Sequence, residues 1–214
     1  MPARGHPKLT LAVLVRHGTT STTGAVLPGR APGLHLSPKG TDQAKAVAGR
    51  VGELARRPVA VYASPLERAV ETARPIAEAC DTGVEVEGDL VECDFGEWTG
   101  EKLATLRKNR AWNAVERWPS TFRFPGGESF PEMQARVWGA LERLLVRHQG
   151  ESFVAVSHAD CIKAAVAQAA GVPLDLFQRL VVPPCSVSVV ARGEHGIHVL
   201  CVSSTASLGE IGLS

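Results

Sequence analysis

The sequence predicts an α/β protein, more specifically a three-layer α/β/α sandwich around a mostly parallel central sheet. Short, almost wholly apolar segments of strand length alternate with longer segments whose apolar residues recur at helical spacing. The order is β, α, β, α, β, α, β, α, followed by two neighbouring strand-like segments. Such an alternation is typical of helices packed on both faces of a parallel sheet.

The strand segments are rich in valine, leucine and alanine, as expected for strands that are covered on both faces. We place them at residues 9–15, 58–63, 84–86, 152–156, 186–190 and 197–202. The last two flank a turn-like sequence at 192–196, and this arrangement indicates a β-hairpin.

Capping residues mark where the helices should begin. Ser37-Pro38 and Ser64-Pro65 each put an N-cap serine before a proline at the first helical position. Ser129 and Glu132 make a capping box before a long helix. A fourth helix is predicted over 159–170, because glycine and proline follow it directly.

Length, composition and charge narrow the class of protein. The 214 residues are 44% hydrophobic, enough for one sizeable core, so we expect a single domain over 1–214. The segment 100–127 breaks the alternation and is interpreted as a small insertion that roofs a site. A net charge of +1 without a basic stripe argues against nucleic-acid binding. No apolar stretch approaches the ~20 residues that span a bilayer, so we expect no membrane partner.

Two features favour a cytoplasmic protein. The five cysteines are scattered and never spaced as CxxC, which predicts reduced, mostly buried thiols and no zinc site. The polar residues 1–8 also lack the apolar run of a signal peptide.

Polar side chains follow three of the predicted strands at the point where each strand ends. They are Arg16 and His17 after the first, Ser64 and then Arg68 after the second, and His158 after the third long strand. Ligands of open parallel sheets bind beyond the carboxyl ends of the strands. Helix N-termini at that edge add N–H donors for an anion. We therefore expect two arginines and two histidines to surround one anionic group.

These residue types suit phosphate chemistry. Arginine binds phosphate oxygens in a fork, and a neutral imidazole is a competent nucleophile for a phosphoryl group. We expect the two arginines to lower the pKa of His17. The leaving oxygen also needs a proton, and spacing alone leaves Glu92, Asp94 and Glu97 as candidate acids. A buried carboxyl beside the anion should have a raised pKa.

Simpler interpretations compete with this one. His17 alone could be a core histidine, and Arg68 could pair with Glu67 or Glu71 on its own helix. Trp112 and Trp118 are expected in the core rather than as substrate platforms.

Five motifs in order resemble the histidine phosphatase superfamily, also called the phosphoglycerate mutase-like family. They are RHG at 16–18, SPLERA with ETA at 64–73, LVE with FGEW at 90–98, PGGES at 125–129 and VSH at 156–158. The similarity runs from about residue 9 to 202, nearly the whole chain. One RHG triplet would be a weak signal, but five ordered motifs are a specific one.

The resemblance implies a three-layer sandwich, no metal, no cofactor and a phosphohistidine intermediate. It implies His17 as nucleophile, Glu92 as general acid, and a phosphate pocket made of Arg16, Arg68 and His158. It further implies a substrate-binding side, and by position its residues are Thr23, Gly29, Arg30 and Ala159.

Some positions depart from the usual family pattern. Thr19 and Thr23 replace commoner polar residues, and Ala159-Asp160 replaces the more usual glycine after the second histidine. The sequence at 159–164 is similar to that of an actinobacterial branch labelled as phosphomutases. These changes leave the phosphoryl chemistry in place and bear on the choice of substrate.

The resulting functional prediction is a hydrolase of phosphomonoesters that acts on a small phosphorylated metabolite. The alternatives are a phosphomutase and, from another class, a non-catalytic module that binds a phosphorylated ligand. Oligomeric state is left open, with a homodimer as one candidate.

Overall fold

The computed structural model describes residues 9–209 and 211, and a six-stranded sheet forms its centre. The strand order is β3-β2-β4-β1-β5-β6. The strands are β1 (Thr10–Arg16), β2 (Ala60–Ala63), β3 (Val84–Val86), β4 (Ser152–Ser157), β5 (Val187–Gly193) and β6 (Gly196–Ser204). The first four strands run parallel to one another. β5 pairs antiparallel with both β1 and β6, so the predicted hairpin is confirmed.

Helices cover both faces of this sheet. They are α1 (Pro38–Gly52), α2 (Glu67–Ala79), α3 (Leu103–Leu106), α4 (Trp112–Arg117), α5 (Phe130–Arg147) and α6 (Ala159–Ala170). Successive residues of β1 point to opposite faces. Val13 packs in a cluster with α1 and α2, whereas Leu14 packs in a cluster with α5 and α6. The predicted three-layer α/β/α sandwich is therefore confirmed.

The register of the central strands aligns their carboxyl ends. Arg16 on β1 lies opposite Ser157 on β4, and Val156 lies opposite Ala63 on β2. The residues that follow β1, β2 and β4 consequently leave the sheet side by side at one edge.

Two of the three predicted serine caps are confirmed. Ser37 Oγ accepts the Gly40 N–H at 3.2 Å, and Ser129 forms the complete capping box with Glu132. The prediction at Ser64-Pro65 is wrong, because α2 begins at Glu67 and has no side-chain cap. The Ser64 N–H instead extends the strand pairing to the Val156 carbonyl at 2.9 Å. Its hydroxyl bonds the ring of a distant histidine, described below.

The segment 100–127 contains the short helices α3 and α4 and a 3-10 turn at Pro119–Thr121. Trp112 stacks on Trp98 with ring centroids 6.0 Å apart. Trp118 is 55% exposed, so its expected place in the core is wrong. This segment thus touches the core through only part of its aromatic side chains.

Across the part of the chain that is described, no helix combines the length and apolar character needed to cross a bilayer. The four described buried cysteines and the half-buried Cys201 are all free thiols, as predicted. Residues 1–8, where the sequence predicts no signal peptide, lie outside the described residues.

Candidate active site

His17 follows β1 directly, and its backbone N–H bonds the Ser157 carbonyl of β4 at 3.0 Å. Its ring is 6% exposed. Nδ1 lies 2.7 Å from the Gly18 carbonyl oxygen, which can only accept, so Nδ1 carries the ring proton. The structure therefore leaves Nε2 of His17 unprotonated, with its lone pair directed into the protein.

Arg68 occupies the second position of α2 and is fully buried. Its Nε donates to His17 Nε2 at 3.3 Å, and its Nη2 donates to the Gly29 carbonyl at 2.8 Å. Glu67 and Glu71 bond the backbone N–H groups of residues 33 and 36 instead. The alternative in which Arg68 only pairs along its own helix is therefore wrong.

Glycines let the loop after β1 reach this position. The Gly18 N–H donates to Thr72 Oγ1 at 3.0 Å, and a Cβ on Gly18 would lie 2.6 Å from the Gly40 carbonyl oxygen. Gly29 has φ +52°, in the left-handed region that favours glycine, and its carbonyl faces Arg68. The loop is thereby held against α1 and α2.

His158 stands beside His17. The two ring centroids are 5.1 Å apart at an interplanar angle of 61°. His158 is fully buried, and its Nε2 forms a 2.7 Å hydrogen bond with Ser64 Oγ. This bond holds the ring so that Nδ1 points towards the carboxyl of Glu92, with Oε2 at 3.9 Å.

Of the three candidate acids, only Glu92 is buried in the site. Its Oε1 accepts the Cys93 N–H at 3.0 Å and lies 3.6 Å from the Cys161 thiol. Asp94 is bonded to the Gly96 N–H instead, and Glu97 is exposed. Because the Cys93 N–H occupies Oε1, a proton on Glu92 is best placed on Oε2, the oxygen nearest His158.

Arg136 and Glu128 hold the segment that carries Glu92. Arg136 Nη1 donates to the carbonyls of Asp89 at 2.6 Å and Val91 at 2.9 Å. Glu128 accepts from Arg136 Nε at 2.9 Å and from Arg30 Nη2 at 2.9 Å. Arg30 Nε donates to the Glu92 carbonyl at 2.8 Å. The guanidinium of Arg30 thus supports the acid segment, whereas the resemblance implied a substrate contact.

Three buried polar atoms next to His17 have no hydrogen-bond partner within the described residues. They are Arg16 Nε, Arg68 Nη1 and His158 Nδ1. Unsatisfied buried groups are costly, and native proteins keep few of them. Two guanidinium donors and an imidazole nitrogen around one point are suited to bind the oxygens of a phosphate.

Burial moves the pKa values of the acid and the nucleophile in opposite directions. It lowers the pKa of His17 to about 3, with Arg68 as the next cause and Arg16 as a smaller one. The arginines act as predicted, but burial is the larger cause. Burial also raises the pKa of Glu92 to about 7, and the negative charge of Asp160 adds to this. His158 has a lowered pKa for the same reason of burial.

Two of the implied substrate residues, Thr23 and Ala159, differ in exposure. Thr23 is exposed, and its Oγ1 accepts the Thr20 N–H at 2.8 Å. Ala159 is the half-buried first residue of α6, directly after His158. Their contact with substrate stays a prediction, as does that of Gly29 and Arg30.

Thr72, Arg136 and Glu128 support the site without having been predicted to do so, and Ser64 was not predicted to bond His158. Ser64 had a readable signal, since it directly follows a strand just as His17 and His158 do. Arg136 had none, because it bonds main-chain carbonyls, which carry no sequence signature.

In the part of the chain that is described, no three or more His, Cys, Asp or Glu side chains gather in a group that could hold a metal ion. The cations of the site are the guanidinium groups of Arg16 and Arg68. An α/β sandwich with such a site is an enzyme that handles a phosphate group.

The chain belongs to the histidine phosphatase superfamily (branch 1), whose family model matches residues 12–205. It is accordingly an enzyme of the phosphatase class. This agrees with the resemblance carried by the five motifs.

Several relatives are similar over most of the chain. The Mycobacterium tuberculosis protein Rv0525 is 39% identical over 155 residues, 71% of this chain and 74% of that protein. Phosphoserine phosphatase 1 of Hydrogenobacter thermophilus is 34% identical over 207 residues, 92% of this chain and 94% of its own. A probable phosphoglycerate mutase of Erwinia tasmaniensis is 33% identical over 179 residues, which cover 83% of this chain and 82% of that protein.

Solved structures share the fold. A mycobacterial hydrolase superposes with a TM-score of 0.84 at 25% identity, covering 93% of this chain and 100% of its own. A mycobacterial glucosyl-3-phosphoglycerate phosphatase gives a TM-score of 0.82 at 24% identity, covering 92% and 100%. The mycobacterial relatives agree with the actinobacterial branch indicated by the sequence.

The state of the His17 ring provides a direct check on this site. With a pKa of about 3, the ring stays neutral from neutral pH down to about pH 4 and gains its proton only below that. Histidine-selective ¹⁵N NMR should therefore show an Nδ1-protonated neutral ring across this range. A His17 titration midpoint near 6.5, the ordinary value, would contradict the buried geometry.

Proposed function

We propose that the chain hydrolyses monoesters of small phosphorylated metabolites through a phosphohistidine on His17 Nε2. The observation that supports this most is the unprotonated Nε2 beside three buried polar atoms that have no protein partner. A nucleophile needs a free lone pair, and the phosphoryl group needs charge stabilisation on its oxygens. In this structure the Nε2 lone pair accepts only a 3.3 Å hydrogen bond from Arg68 Nε, and the unpartnered groups are available to the phosphate oxygens.

In the first step, Nε2 of His17 attacks phosphorus while the bond from phosphorus to the ester oxygen breaks. The electron pair of that bond leaves with the oxygen, and Glu92 supplies the proton that makes it an alcohol. Arg16, Arg68 and His158 stabilise the equatorial oxygens during the in-line transfer. A Glu92 pKa of about 7 keeps a substantial protonated fraction at neutral pH.

In the second step, water attacks the phosphohistidine and gives its proton to the Glu92 carboxylate. The phosphorus–nitrogen bond breaks, its electron pair returns to Nε2, and inorganic phosphate leaves. Glu92 is then protonated for the next cycle, so one carboxyl serves as acid and then as base.

A phosphomutase is the second candidate, favoured by the relative named as a probable phosphoglycerate mutase. The two differ in what accepts the phosphoryl group, water or a second hydroxyl. We prefer hydrolysis, since a relative that covers 92% of this chain is named as a phosphoserine phosphatase. Incubation with a panel of phosphorylated metabolites distinguishes the two. The panel includes phosphoserine, because one relative is named as a phosphoserine phosphatase. Free phosphate indicates a hydrolase, and an isomerised ester without it indicates a mutase.

Replacing the nucleophile tests the chemistry. We expect His17→Ala to lower turnover of p-nitrophenyl phosphate by at least about 10⁴-fold and to abolish labelling of the protein by substrate phosphate. Rapid acid-free quenching and ³¹P detection measure the label. His195→Ala, which changes an exposed turn histidine, is the matched control and should behave like wild type. Full turnover in His17→Ala would contradict the proposed mechanism. Binding of a phosphorylated ligand without turnover by the wild-type protein would favour the non-catalytic module.

Replacing the acid tests the role of Glu92. We expect Glu92→Gln to lower turnover of an alkyl phosphate by about 10²–10⁴-fold and that of p-nitrophenyl phosphate far less, because nitrophenolate leaves without protonation. The wild-type enzyme should likewise lose activity on the alkyl ester as pH rises through about 7, where Glu92 loses its proton. Glu97→Gln is the control at an exposed carboxyl. Equal losses on both esters would assign Glu92 another role.

A further inference from the structure

A large cavity adjoins the catalytic edge and takes no part in the chemistry described so far. Its volume is about 690 Å³, within the range of about 300–1,000 Å³ that is usual for small-molecule sites. One wall comes from the segment 100–127, and the opposite wall comes from α6 and the 3-10 helix Leu174–Arg179. The insertion is thus a wall of the cavity as well as a link between β3 and α5.

Two contacts connect the cavity to the reaction centre. Phe95 lines it and packs so closely on Gly29 that a Cβ there would lie 3.2 Å from the ring. Asp160 lines it as well and is two residues from His158. The negative charge of Asp160 also contributes to the raised pKa of Glu92.

Part of the cavity lining is apolar and aromatic. Besides Phe95, this part consists of Leu27, Leu103, Trp112 and Phe124. These side chains are suited to the hydrocarbon or ring portion of a bound molecule.

The acidic side chains that line the cavity already have partners. Asp160 pairs with Lys163 at 3.1 Å. Glu116 accepts Trp112 Nε1 at 2.8 Å, and Asp175 accepts the Ser120 N–H at 2.9 Å. Lys163 Nζ also donates a hydrogen bond to Gln178 Oε1 at 2.9 Å.

The three arginines of the lining differ from these residues. Within residues 9–209 and 211, the guanidinium groups of Arg107, Arg117 and Arg179 form no hydrogen bond and no ion pair. Glu116 and Asp175 are bonded only to uncharged groups, so their carboxylates offset part of this charge and the lining as a whole carries a net charge of +1. An arginine guanidinium binds carboxylate or phosphate oxygens in a fork.

We infer that this cavity binds the non-reacting part of the substrate, and that Arg107, Arg117 and Arg179 recognise a second anionic group at its far end. The substrate class is an extended phosphomonoester with an apolar or aromatic middle and a terminal carboxylate or phosphate. The inference rests on the proposed phosphatase function only for the position of the scissile phosphate.

The placement of charges sets where the second anion lies. Close to the reaction centre, an incoming anion meets Asp160, whose Lys163 partner is already engaged. Arg107 directly follows α3, Arg117 ends α4 and Arg179 ends the 3-10 helix Leu174–Arg179. We therefore expect a carboxylate on a longer spacer to gain more from this cavity than one only a few bonds from the scissile phosphate.

Binding of non-hydrolysable analogues tests the inference apart from catalysis. The full chain is titrated by calorimetry with ω-carboxyalkylphosphonates of increasing length and with n-alkylphosphonates of matched length. We expect the carboxylate-ended compounds to bind about tenfold more tightly, but only beyond a threshold length, as expected for a charge-assisted hydrogen bond. Arg117→Gln combined with Arg179→Gln should remove this preference. Arg110→Gln, an exposed arginine of the same segment outside the cavity lining, should retain it.

Turnover of p-nitrophenyl phosphate is measured on the same samples to separate the two proposals. A carboxylate preference that is lost in the double variant supports the cavity assignment, even if turnover is absent and the phosphatase mechanism fails. Turnover without a carboxylate preference at any length overturns the cavity assignment and leaves the mechanism standing. A preference that persists in the double variant also overturns it.

Discussion

The site depends on one contact, the hydrogen bond from the buried guanidinium of Arg68 to the neutral imidazole of His17. Burial and the Arg68 charge disfavour a positive ring, so Nε2 keeps its lone pair where a protonated histidine would lose it. The Gly18 carbonyl completes the arrangement by holding the proton on Nδ1. The close-packed loop after β1 holds these groups in contact. The loop is anchored to the sheet by β1, whose residues are paired with β4.

Burial lowers the pKa of His17 but raises the pKa of the Glu92 carboxyl. Because the two pKa values move apart, an acid and a histidine nucleophile can work in the same site. Removing water penalises charge on both groups, so the imidazole loses its proton and Glu92 keeps one at the same pH. Pairs of titratable groups separated in this way are typical of acid–base sites. Arg136 and Glu128 maintain the arrangement by fixing the main chain on both sides of Glu92. The acid is therefore positioned through its main chain.

Features set by local sequence were predictable, and features set by tertiary contacts were not. Consecutive apolar residues identified β1 and β4, and their parallel alignment then placed His17 and His158 together. The choice of Glu92 over Asp94 and Glu97 came from family resemblance, since spacing cannot show which carboxyl is buried. The prediction that Ser64 caps α2 is wrong, because this serine continues the strand pairing and bonds His158. The bonds of Arg30 to Glu92 and Glu128 are visible only in three dimensions, while its contact with substrate stays a prediction.

We expect the imidazoles and guanidinium groups at this edge of the sheet to share one tetrahedral anion. A crystal structure with orthovanadate, which mimics phosphate during transfer, would show whether they do. A single vanadate should bind with vanadium in line with His17 Nε2 and with its oxygens bonded to Arg16, Arg68 and His158. Vanadate bound elsewhere, or residues 16, 17, 68 and 158 too far apart to contact one ion, would contradict this expectation.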